Sequence, residues 1–386
     1  MTSPHVIGPL PSAPRILVRG VNWLGDAVMT TPALLRLREK FPGAHLALVT
    51  PEKLKDLWLF HPAVDEIISI LPQESVFAVG ARLKRRAGDF DVALVLPNSP
   101  RSALEFYLAG IPQRIGFARP WRNWFLTHAL APRPGAHKMR KRSEPEIRRL
   151  LLPDQPSPSR LSPIPESAHQ MQEYLHLVAA LGATTGVLAP QLTVTADEIQ
   201  AAKAAFHLNR IAVDTPVFGV NAGAEYGPAK RWPIDRFSEA TREIQKRTGC
   251  AWIIFGGKGD LDLAARLAAG LNHEPSVFNL AGLTSLRQLM ALLKVCRVVL
   301  TNDTGPMHVA AALGTPVVVP FGSTSPELTG PGLPGDRPHC LLKADVACSP
   351  CFLRECPIDF RCMLSISVAQ VVEAMMASYR LTEQRT

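Results

Sequence analysis

The segment of this chain best suited to binding an anion is residues 301–308, Thr-Asn-Asp-Thr-Gly-Pro-Met-His. They follow an apolar run and precede an alanine-rich stretch, a pattern typical of a strand–turn–helix unit. Gly305 would allow a ligand close to the backbone, and helix N-termini attract phosphate. His308 could donate to the same anion. Asp303 would repel phosphate, so we expect it to cap the helix or bind sugar hydroxyls. A capped helix with an incidental histidine is the alternative interpretation.

An isolated acid, Asp26, is the candidate for base chemistry in the first half of the chain. A short apolar strand at 15–19 leads into a tight loop framed by Gly20 and Gly25, and Asp26 lies where this loop turns into a helix. Pro32 either kinks that helix or marks its start. The division between an acid in one half and a phosphate-type loop in the other suggests an acceptor on one side and a nucleotide-activated donor on the other.

Cysteine spacing leaves two interpretations open. A dense cluster is formed by Cys348, Cys351, Cys356 and Cys362. Its spacing permits a zinc or iron–sulfur site, but the thiols could equally be buried, reduced packing groups. The chain has 7 cysteines, an odd number that argues against a disulfide framework. The proposed chemistry needs no metal and no cofactor.

The charge distribution favours an anionic partner. The formal net charge is +9 and the pI about 9.4. Basic residues concentrate in one region, at Arg114, Arg119, Arg122, Arg133, Lys138, Arg140, Lys141, Arg142, Arg148 and Arg149. Nucleic acid, an acidic membrane or a phosphorylated substrate would each fit, as would a solvated basic loop. A nucleic-acid-binding protein with a four-cysteine zinc module would use this charge, but it leaves Asp26 and residues 301–308 unexplained.

The elements that must position these residues alternate between strand and helix along both halves of the chain. This alternation predicts an α/β protein with two successive Rossmann-like, doubly wound domains. We expect an N-terminal acceptor domain at 1–185, a C-terminal nucleotide-sugar domain at 186–365, and a helix at 366–386 that packs back toward the N-terminal domain. A Pro- and Ser-rich stretch at 153–165 should be a surface loop. Neither half carries G-x-G-x-x-G or G-x-x-x-x-G-K-[ST], which weakens dehydrogenase and P-loop interpretations.

Hydropathy indicates a protein without a membrane span. The apolar fraction is 47% and the mean hydropathy +0.08. No apolar segment approaches the roughly 18 residues that a spanning helix needs. The first residues lack a basic region followed by an apolar core, so we expect no secretory signal and a cytoplasmic location.

Three separate motifs in order carry a family resemblance. They are R-G-x-N-W-L-G-D-A-V-M at 19–29, G-A-E-Y-G-P-A-K-R-W-P at 223–233 and T-N-D-T-G-P-M-H at 301–308. Together they resemble the ADP-heptose:lipopolysaccharide heptosyltransferases of glycosyltransferase family 9, whose fold is GT-B, two Rossmann-like domains that face each other across a cleft. The second motif and C-S-P-C at 348–351 resemble the heptosyltransferase II branch more than the heptosyltransferase I branch.

The resemblance implies a reaction and its partners. The implied reaction is inverting transfer of L-glycero-D-manno-heptose from ADP-heptose onto the first heptose of the lipopolysaccharide inner core, on heptosyl-Kdo2-lipid A. It implies Asp26 as the catalytic base and Lys230 as a lysine that faces the donor phosphates. It assigns the donor loop to Asp303, Thr304, Gly305 and His308. A cytoplasmic enzyme held peripherally at the inner membrane, without nucleic acid, is the expected setting. A different nucleotide-sugar enzyme of the same fold is the alternative.

Two sets of positions rest on weaker patterns. Lys258 and Asp260 follow a strand of the second domain where a carboxylate commonly holds a ribose diol, and the sequence leaves open which of them contacts the nucleotide. Candidate ligands for acceptor phosphates and Kdo carboxylates are Arg101, Arg114, Arg119 and Arg122, because guanidinium binds both groups bidentately. Nearby aromatics at 121, 124 and 125 could lie at the lipid interface or pack in a core.

Overall fold

The chain forms two compact units. The computed structural model describes residues 7–152, 164–208, 211–212, 214–271, 276–332 and 339–384. The first unit comprises 1–136 and 167–193, and the second comprises 137–166 and 194–386. The predicted boundary at 185 therefore falls short of the observed one. Residues 137–166, which we expected in the first domain, belong to the second, while most of the Pro- and Ser-rich stretch lies outside the described residues.

Each unit contains a six-stranded parallel sheet. Strand order is β3-β2-β1-β4-β5-β6 in the first unit and β12-β11-β10-β7-β8-β9 in the second. Central strands are continuous buried apolar runs, as expected of a parallel sheet covered on both faces. The strands are β1 (Arg15–Arg19), β2 (His45–Pro51), β3 (Glu66–Ile70), β4 (Val92–Val95), β5 (Gln113–Phe117), β6 (His128–Leu130), β7 (Val217–Asn221), β8 (Ala251–Ile254), β9 (Val277–Asn279), β10 (Val299–Thr301), β11 (Val317–Phe321) and β12 (Cys340–Lys343).

Helices connect the strands in both units. The described helices are α1 (Leu24–Met29), α2 (Thr31–Lys40), α3 (Val76–Lys84), α4 (Pro100–Ala109), α5 (Glu144–Leu150), α6 (Met171–Ala179), α7 (Ala196–Leu208), α8 (Ile234–Thr248), α9 (Leu261–Gly270), α10 (Leu286–Val295), α11 (Gly305–Ala312), α12 (Pro326–Thr329), α13 (Arg361–Leu364) and α14 (Val368–Glu383). Pro32 marks a helix start: α1 ends before Thr30 and α2 begins at Thr31, with the proline in its first turn. Among the described residues, no helix combines the length and the apolarity that crossing a bilayer requires.

The last helix differs from our expectation. We expected residues 366–386 to pack toward the N-terminal domain, but α14 lies against α8, β11 and β12 of the second unit. Its apolar residues Val371, Val372 and Met375 are buried in the core of that unit. The helix covers one face of its own sheet because that sheet would otherwise expose apolar strands to water.

The order of strands predicts where each unit binds a ligand. Both sheets have the doubly wound order in which strand progression reverses, between β1 and β4 in the first unit and between β7 and β10 in the second. Ligands of such sheets bind beyond the carboxyl ends of the strands at this reversal. The loops after β1, β7 and β10 are the ones that hold Asp26, Lys230 and residues 302–305. The motifs singled out in the sequence therefore lie at the switch points.

Candidate functional site

The loop between β10 and α11 is tied to the loop after β7 by one buried amide. Asn302 Oδ1 accepts from the backbone N–H of Trp232 at 2.9 Å, and its Nδ2 donates to the carbonyl of Ala222 at 2.8 Å. Because both loops leave adjacent parallel strands, this side chain fixes their separation. His308 lies in the first turn of α11 and is buried. The structure thus presents the N-terminus of α11 beside the lysine-bearing loop.

Lys230 and Asp303 form a buried ion pair. Lys230 ends a 3₁₀ turn, and its Nζ lies 2.7 Å from Asp303 Oδ2, which also accepts from Thr324 Oγ1 at 2.6 Å. We expected Asp303 to cap the helix or bind sugar hydroxyls. The residue at the N-cap position is Thr304, whose side chain makes no capping hydrogen bond. The carboxylate instead holds the lysine in place, and two of the three ammonium protons are left for other partners.

Two residues that the sequence reasoning missed, Tyr226 and Arg354, lie beside this pair. The Tyr226 ring centroid is 5.0 Å from Lys230 Nζ and 5.3 Å from the guanidinium carbon of Arg354. Tyr226 is anchored because its hydroxyl donates to the carbonyl of Phe352 at 2.8 Å. The aromatic residue in the second motif was a signal for Tyr226. Arg354 had no local signal, since it arrives from a loop more than a hundred residues away.

Lys258 and Asp260 differ in their contacts and in their exposure. Asp260 Oδ2 accepts from the Gly257 N–H at 3.0 Å, and its Oδ1 is 3.8 Å from Arg231. A Cβ at Gly223 would meet the Asp260 carboxylate at 2.3 Å, so the acid lies directly on the loop after β7. Lys258 is exposed. Asp260 is therefore held against the loop after β7, at the carboxyl edge of the sheet.

Asp26 lies in the first turn of α1, at the carboxyl end of β1. The Gln170 amide donates to its Oδ1 at 3.4 Å and to the Tyr174 hydroxyl at 3.1 Å. Burial, with the negative charge of Asp26 second, raises the pKa of Tyr174. The phenol therefore remains a neutral hydrogen-bonding group beside the carboxylate. Gln170 and Tyr174 belong to the stretch around α6, and no sequence pattern linked them to Asp26.

A buried charge pair supports the loop that precedes Asp26. Arg19 Nε lies 2.7 Å from Glu105 Oε2, and both side chains are buried. Arg19 also donates to the Gly20 carbonyl at 2.6 Å, at the start of the loop. The guanidinium therefore connects the loop after β1 to α4, which contains Glu105. Such a pair fixes geometry even where it adds little net stability.

The four candidate acceptor arginines differ in what they contact. Arg101 pairs with Glu105 at 3.2 Å, and Arg114 donates to the carbonyl of Phe125 at 2.8 Å and to that of Ile111. Arg119 donates to the neighbouring carbonyl of residue 118. Burial lowers the pKa of Arg114. Arg101 and Arg114 are thus committed to contacts within the fold.

Arg122 is the exception among these arginines. Its side chain is fully buried at the carboxyl edge of β4 and β5, where Nη1 donates to Asn98 Oδ1 at 3.2 Å. Nε and Nη2 have no hydrogen-bond partner among the described residues. Burial, and secondarily the charge of Arg119, lowers the pKa of Arg122 to about 10. A buried guanidinium with unsatisfied donors is costly for the fold.

The cysteine segment, residues 348–356, forms backbone hydrogen bonds with the part of the second unit beside Lys230. Cys351 and Phe352 donate their backbone N–H groups to the Ser323 carbonyl, at 3.1 and 2.7 Å. Ala229 N–H donates to the Arg354 carbonyl at 2.9 Å. The basic region around Arg142 contacts the same segment, since the Arg142 N–H donates to the carbonyl of Cys351 at 3.0 Å. This segment therefore supports the 3₁₀ turn that ends at Lys230.

The thiols of that segment are free. Cys348, Cys351, Cys356 and Cys362 line one small cavity together with Ala229 and Ser323. Burial raises the pKa of Cys348 and Cys351, and it raises the pKa of Cys362 to about 12. Within the described ranges, no group of three or more His, Cys, Asp or Glu side chains is arranged to hold a metal ion.

Comparisons with known proteins agree with this architecture. The family model described as glycosyltransferase family 9 (heptosyltransferase) matches residues 157–360. Lipopolysaccharide heptosyltransferase 2 of Salmonella typhimurium is 32% identical over 82% of this chain and 85% of its own length. The Escherichia coli K12 protein of the same name is 31% identical over 82% of this chain and 85% of its length.

A solved structure gives the same result for the fold. The structure of Escherichia coli ADP-heptose lipopolysaccharide heptosyltransferase II has a TM-score of 0.75 and 27% identity, and it covers 96% of this chain and 99% of that chain. The predicted GT-B class is confirmed by this likeness and by the two parallel sheets. With a family model over more than half of the chain and a relative above 30% identity, the chain belongs to glycosyltransferase family 9, the heptosyltransferases, and is a glycosyltransferase.

Proposed function

We propose that this enzyme transfers L-glycero-D-manno-heptose, with inversion, from ADP-heptose to the first heptose of heptosyl-Kdo2-lipid A during lipopolysaccharide core synthesis. One observation carries the proposal. The second unit presents Lys230 and the N-terminus of α11 together at the carboxyl edge of β7 and β10, where a sugar nucleotide diphosphate would bind. Membership of family 9 supports it, as do the relatives named above, whose names describe lipopolysaccharide heptosyltransferases.

The donor diphosphate would be bound by fixed dipoles and cations. The diphosphate would lie at the start of α11, where Thr304 is the N-cap residue, Gly305 is the first helical residue and His308 lies in the first turn. Lys230 adds a positive charge that Asp303 keeps in position at 2.7 Å. As the bond to the anomeric carbon breaks, negative charge grows on the distal phosphate of the leaving ADP. These groups stabilise that charge without reorganising. Asp260 would accept hydrogen bonds from the ribose hydroxyls.

Asp26 supplies the base. Attack on the anomeric carbon requires the acceptor hydroxyl to lose its proton as the new bond forms, and a positioned carboxylate typically contributes about 10²–10⁴-fold. Gln170 orients the Asp26 carboxylate through a hydrogen bond to Oδ1 at 3.4 Å. Inversion follows because the hydroxyl attacks from the side opposite the departing phosphate.

The proposed acceptor is anionic, and we infer that Arg122, whose Nε and Nη2 have no partner among the described residues, binds one of its anionic groups. We expect Arg122→Met to raise KM for the acceptor by about tenfold, with the KM for ADP-heptose unchanged, because one charge-assisted contact is lost. The melting temperature should stay the same or rise, since the substitution removes an unsatisfied buried charge. Steady-state kinetics and thermal unfolding measure the two effects. A lower melting temperature with an unchanged acceptor KM would assign Arg122 to the fold alone.

Peripheral attachment to the cytoplasmic face of the inner membrane is the setting we infer. Trp121 and Trp124 are 75% and 76% exposed and contact each other edge to face at 6.0 Å between ring centroids. The neighbouring Arg119 and the net charge of +9 suit an anionic lipid surface. Exposed indole pairs beside arginine are typical of residues that lie at a headgroup layer.

Replacing both tryptophans tests this attachment. We expect Trp121→Ser with Trp124→Ser to reduce binding to vesicles of phosphatidylglycerol and phosphatidylethanolamine by about tenfold, because buried indole area is lost. ADP binding should be unaffected. Phe77→Ser, at an aromatic that is 68% exposed on α3, is the matched control and should bind vesicles normally. Vesicle flotation measures the effect, and equal binding of all three proteins would contradict the inference.

The reaction itself is tested with purified substrates. ADP-heptose and heptosyl-Kdo2-lipid A should yield ADP and a diheptosyl product whose new linkage is inverted at the anomeric carbon. Coupled detection of ADP and mass spectrometry of the product measure both results. Absence of ADP release with this acceptor, together with consumption of another sugar nucleotide, would contradict the proposal and favour a different enzyme of the same fold.

A further inference from the structure

The geometry points to Arg354 as a cationic ligand of the donor diphosphate, held in place by the ring of Tyr226 and by the cysteine segment. This inference rests on the proposed function, since it assumes that the second unit binds a nucleoside diphosphate sugar. Arg354 lies outside the three sequence motifs and contacts the ring of Tyr226, which belongs to the second of them.

The charges of the site show why a further cation is needed. Lys230 is paired with Asp303 at 2.7 Å, and Arg231 lies 3.8 Å from Asp260. Each of these cations is therefore matched by a carboxylate, and the four side chains together carry no net charge. A diphosphate brings a negative charge on each phosphate into this surrounding. Stable binding at a site that also holds carboxylates requires positive charge in excess of these pairs.

Arg354 provides that excess. Its guanidinium is exposed and makes no hydrogen bond or ion pair with the described residues, so all of its N–H donors are available. It lies 5.3 Å from the Tyr226 ring centroid, and Lys230 Nζ lies 5.0 Å from the same centroid. The Tyr226 ring thus contacts both Lys230 and Arg354. Guanidinium binds phosphate oxygens bidentately, which a lysine does not.

The backbone around Arg354 is fixed rather than free to swing away. Its carbonyl accepts from the Ala229 N–H at 2.9 Å, one residue before Lys230. A Cβ at Gly227 would meet the same carbonyl at 2.5 Å, so only glycine allows this close approach, and Gly227 adopts φ = 155°. The Phe352 carbonyl accepts a hydrogen bond from the Tyr226 hydroxyl. The segment 348–356 therefore serves to deliver Arg354 to the lysine-bearing turn, which gives the cysteine-rich packing a role in the donor site.

Binding of ADP and adenosine to the full chain tests the inference. By calorimetry, Arg354→Ala should weaken ADP binding by about tenfold, because one charge-assisted contact is lost. Arg354→Lys should recover part of the loss, and adenosine, which has no phosphate, should bind both variants as it binds the wild type. Arg266→Ala, at an exposed arginine of α9, removes the same charge elsewhere in the unit and should leave ADP binding unchanged.

The outcomes separate this inference from the proposed function. Normal ADP binding by Arg354→Ala, with the wild type binding ADP, overturns the role of Arg354 and leaves the donor site intact. Equal weakening of ADP and adenosine also overturns it, since the residue would then act on the fold of the nucleoside site. Failure of the wild type to bind ADP at all overturns both. Tyr226→Leu should weaken ADP binding less in the Arg354→Ala background than in the wild type, because the part of its effect that runs through the guanidinium is already lost and only the part through Lys230 remains. Fully additive losses would contradict a positioning role of the ring toward Arg354.

Discussion

Asp26→Asn is expected to lower kcat by at least about a hundredfold while ADP and ADP-heptose bind as tightly as before. The substitution removes the basic oxygen but keeps an amide oxygen that can still accept from Gln170, so the local structure should persist. A base acts on the proton of the acceptor hydroxyl and not on the donor, which is why turnover and donor affinity should separate. Steady-state kinetics together with calorimetric titration of ADP measure the two quantities.

A matched variant makes the Asp26 result specific. Glu39→Gln removes an exposed carboxylate of α2 that pairs with Arg36, in the same unit of the chain, and it should retain normal turnover. Thermal unfolding of both variants excludes a loss of fold as the cause. Near-normal turnover by Asp26→Asn would show that another group takes the proton, and the assignment of the base would be wrong.

Lys230→Ala is expected to weaken ADP binding by about ten- to a hundredfold and to lower kcat as well. Two effects combine. The contact from the ammonium to the phosphates is lost, and the buried carboxylate of Asp303 is left with Thr324 as a neutral partner to face the incoming diphosphate. Since the same ammonium would stabilise charge on the leaving phosphate, binding and chemistry should fall together. ADP titration and single-turnover kinetics measure them separately.

A double variant distinguishes the two effects of Lys230. Lys230→Met with Asp303→Asn removes the cation and the repelling carboxylate together. If Lys230 served only to neutralise Asp303, the double variant would bind ADP normally, and our assignment of a phosphate contact would be refuted. We expect binding to stay weak. Lys246→Ala, at an exposed lysine of α8, controls for the loss of one positive charge and should bind ADP as the wild type does.

Of the twelve strands that the structure describes, those buried on both faces are the ones that the sequence indicates most directly. Long apolar runs such as Val317–Phe321 are buried on both faces and stand out in the sequence. The edge strands His128–Leu130 and Cys340–Lys343 are short and only partly buried, so they carry no such run. A segment becomes an edge strand only when the sheet forms, because its backbone hydrogen bonds come from the neighbouring strand.

For a similar reason, the sequence did not indicate which surfaces the last helix and residues 137–166 pack against. The apolar stripe of α14 predicts a packed helix, but many apolar surfaces would accept it. Contact with α8 and β11 selected one of them. For residues 137–166, the deciding contacts are hydrogen bonds from Arg142 to the carbonyls of Ala347 and Cys351. Such bonds join residues more than two hundred positions apart, and no local pattern encodes them.

The sequence by itself determined the alternation of strands and helices, the motifs at the ends of β1, β7 and β10, and through them the resemblance to family 9. These features are local: hydrophobic periodicity and turn residues specify where an element ends, and the doubly wound order places those ends at a switch point. Only the tertiary structure decided the partners of the side chains. It paired Lys230 with Asp303, brought Arg354 to the Tyr226 ring, and buried Arg122 without full satisfaction of its donors. Charge compensation and burial depend on which segments meet in space, and that is settled by packing over the whole unit.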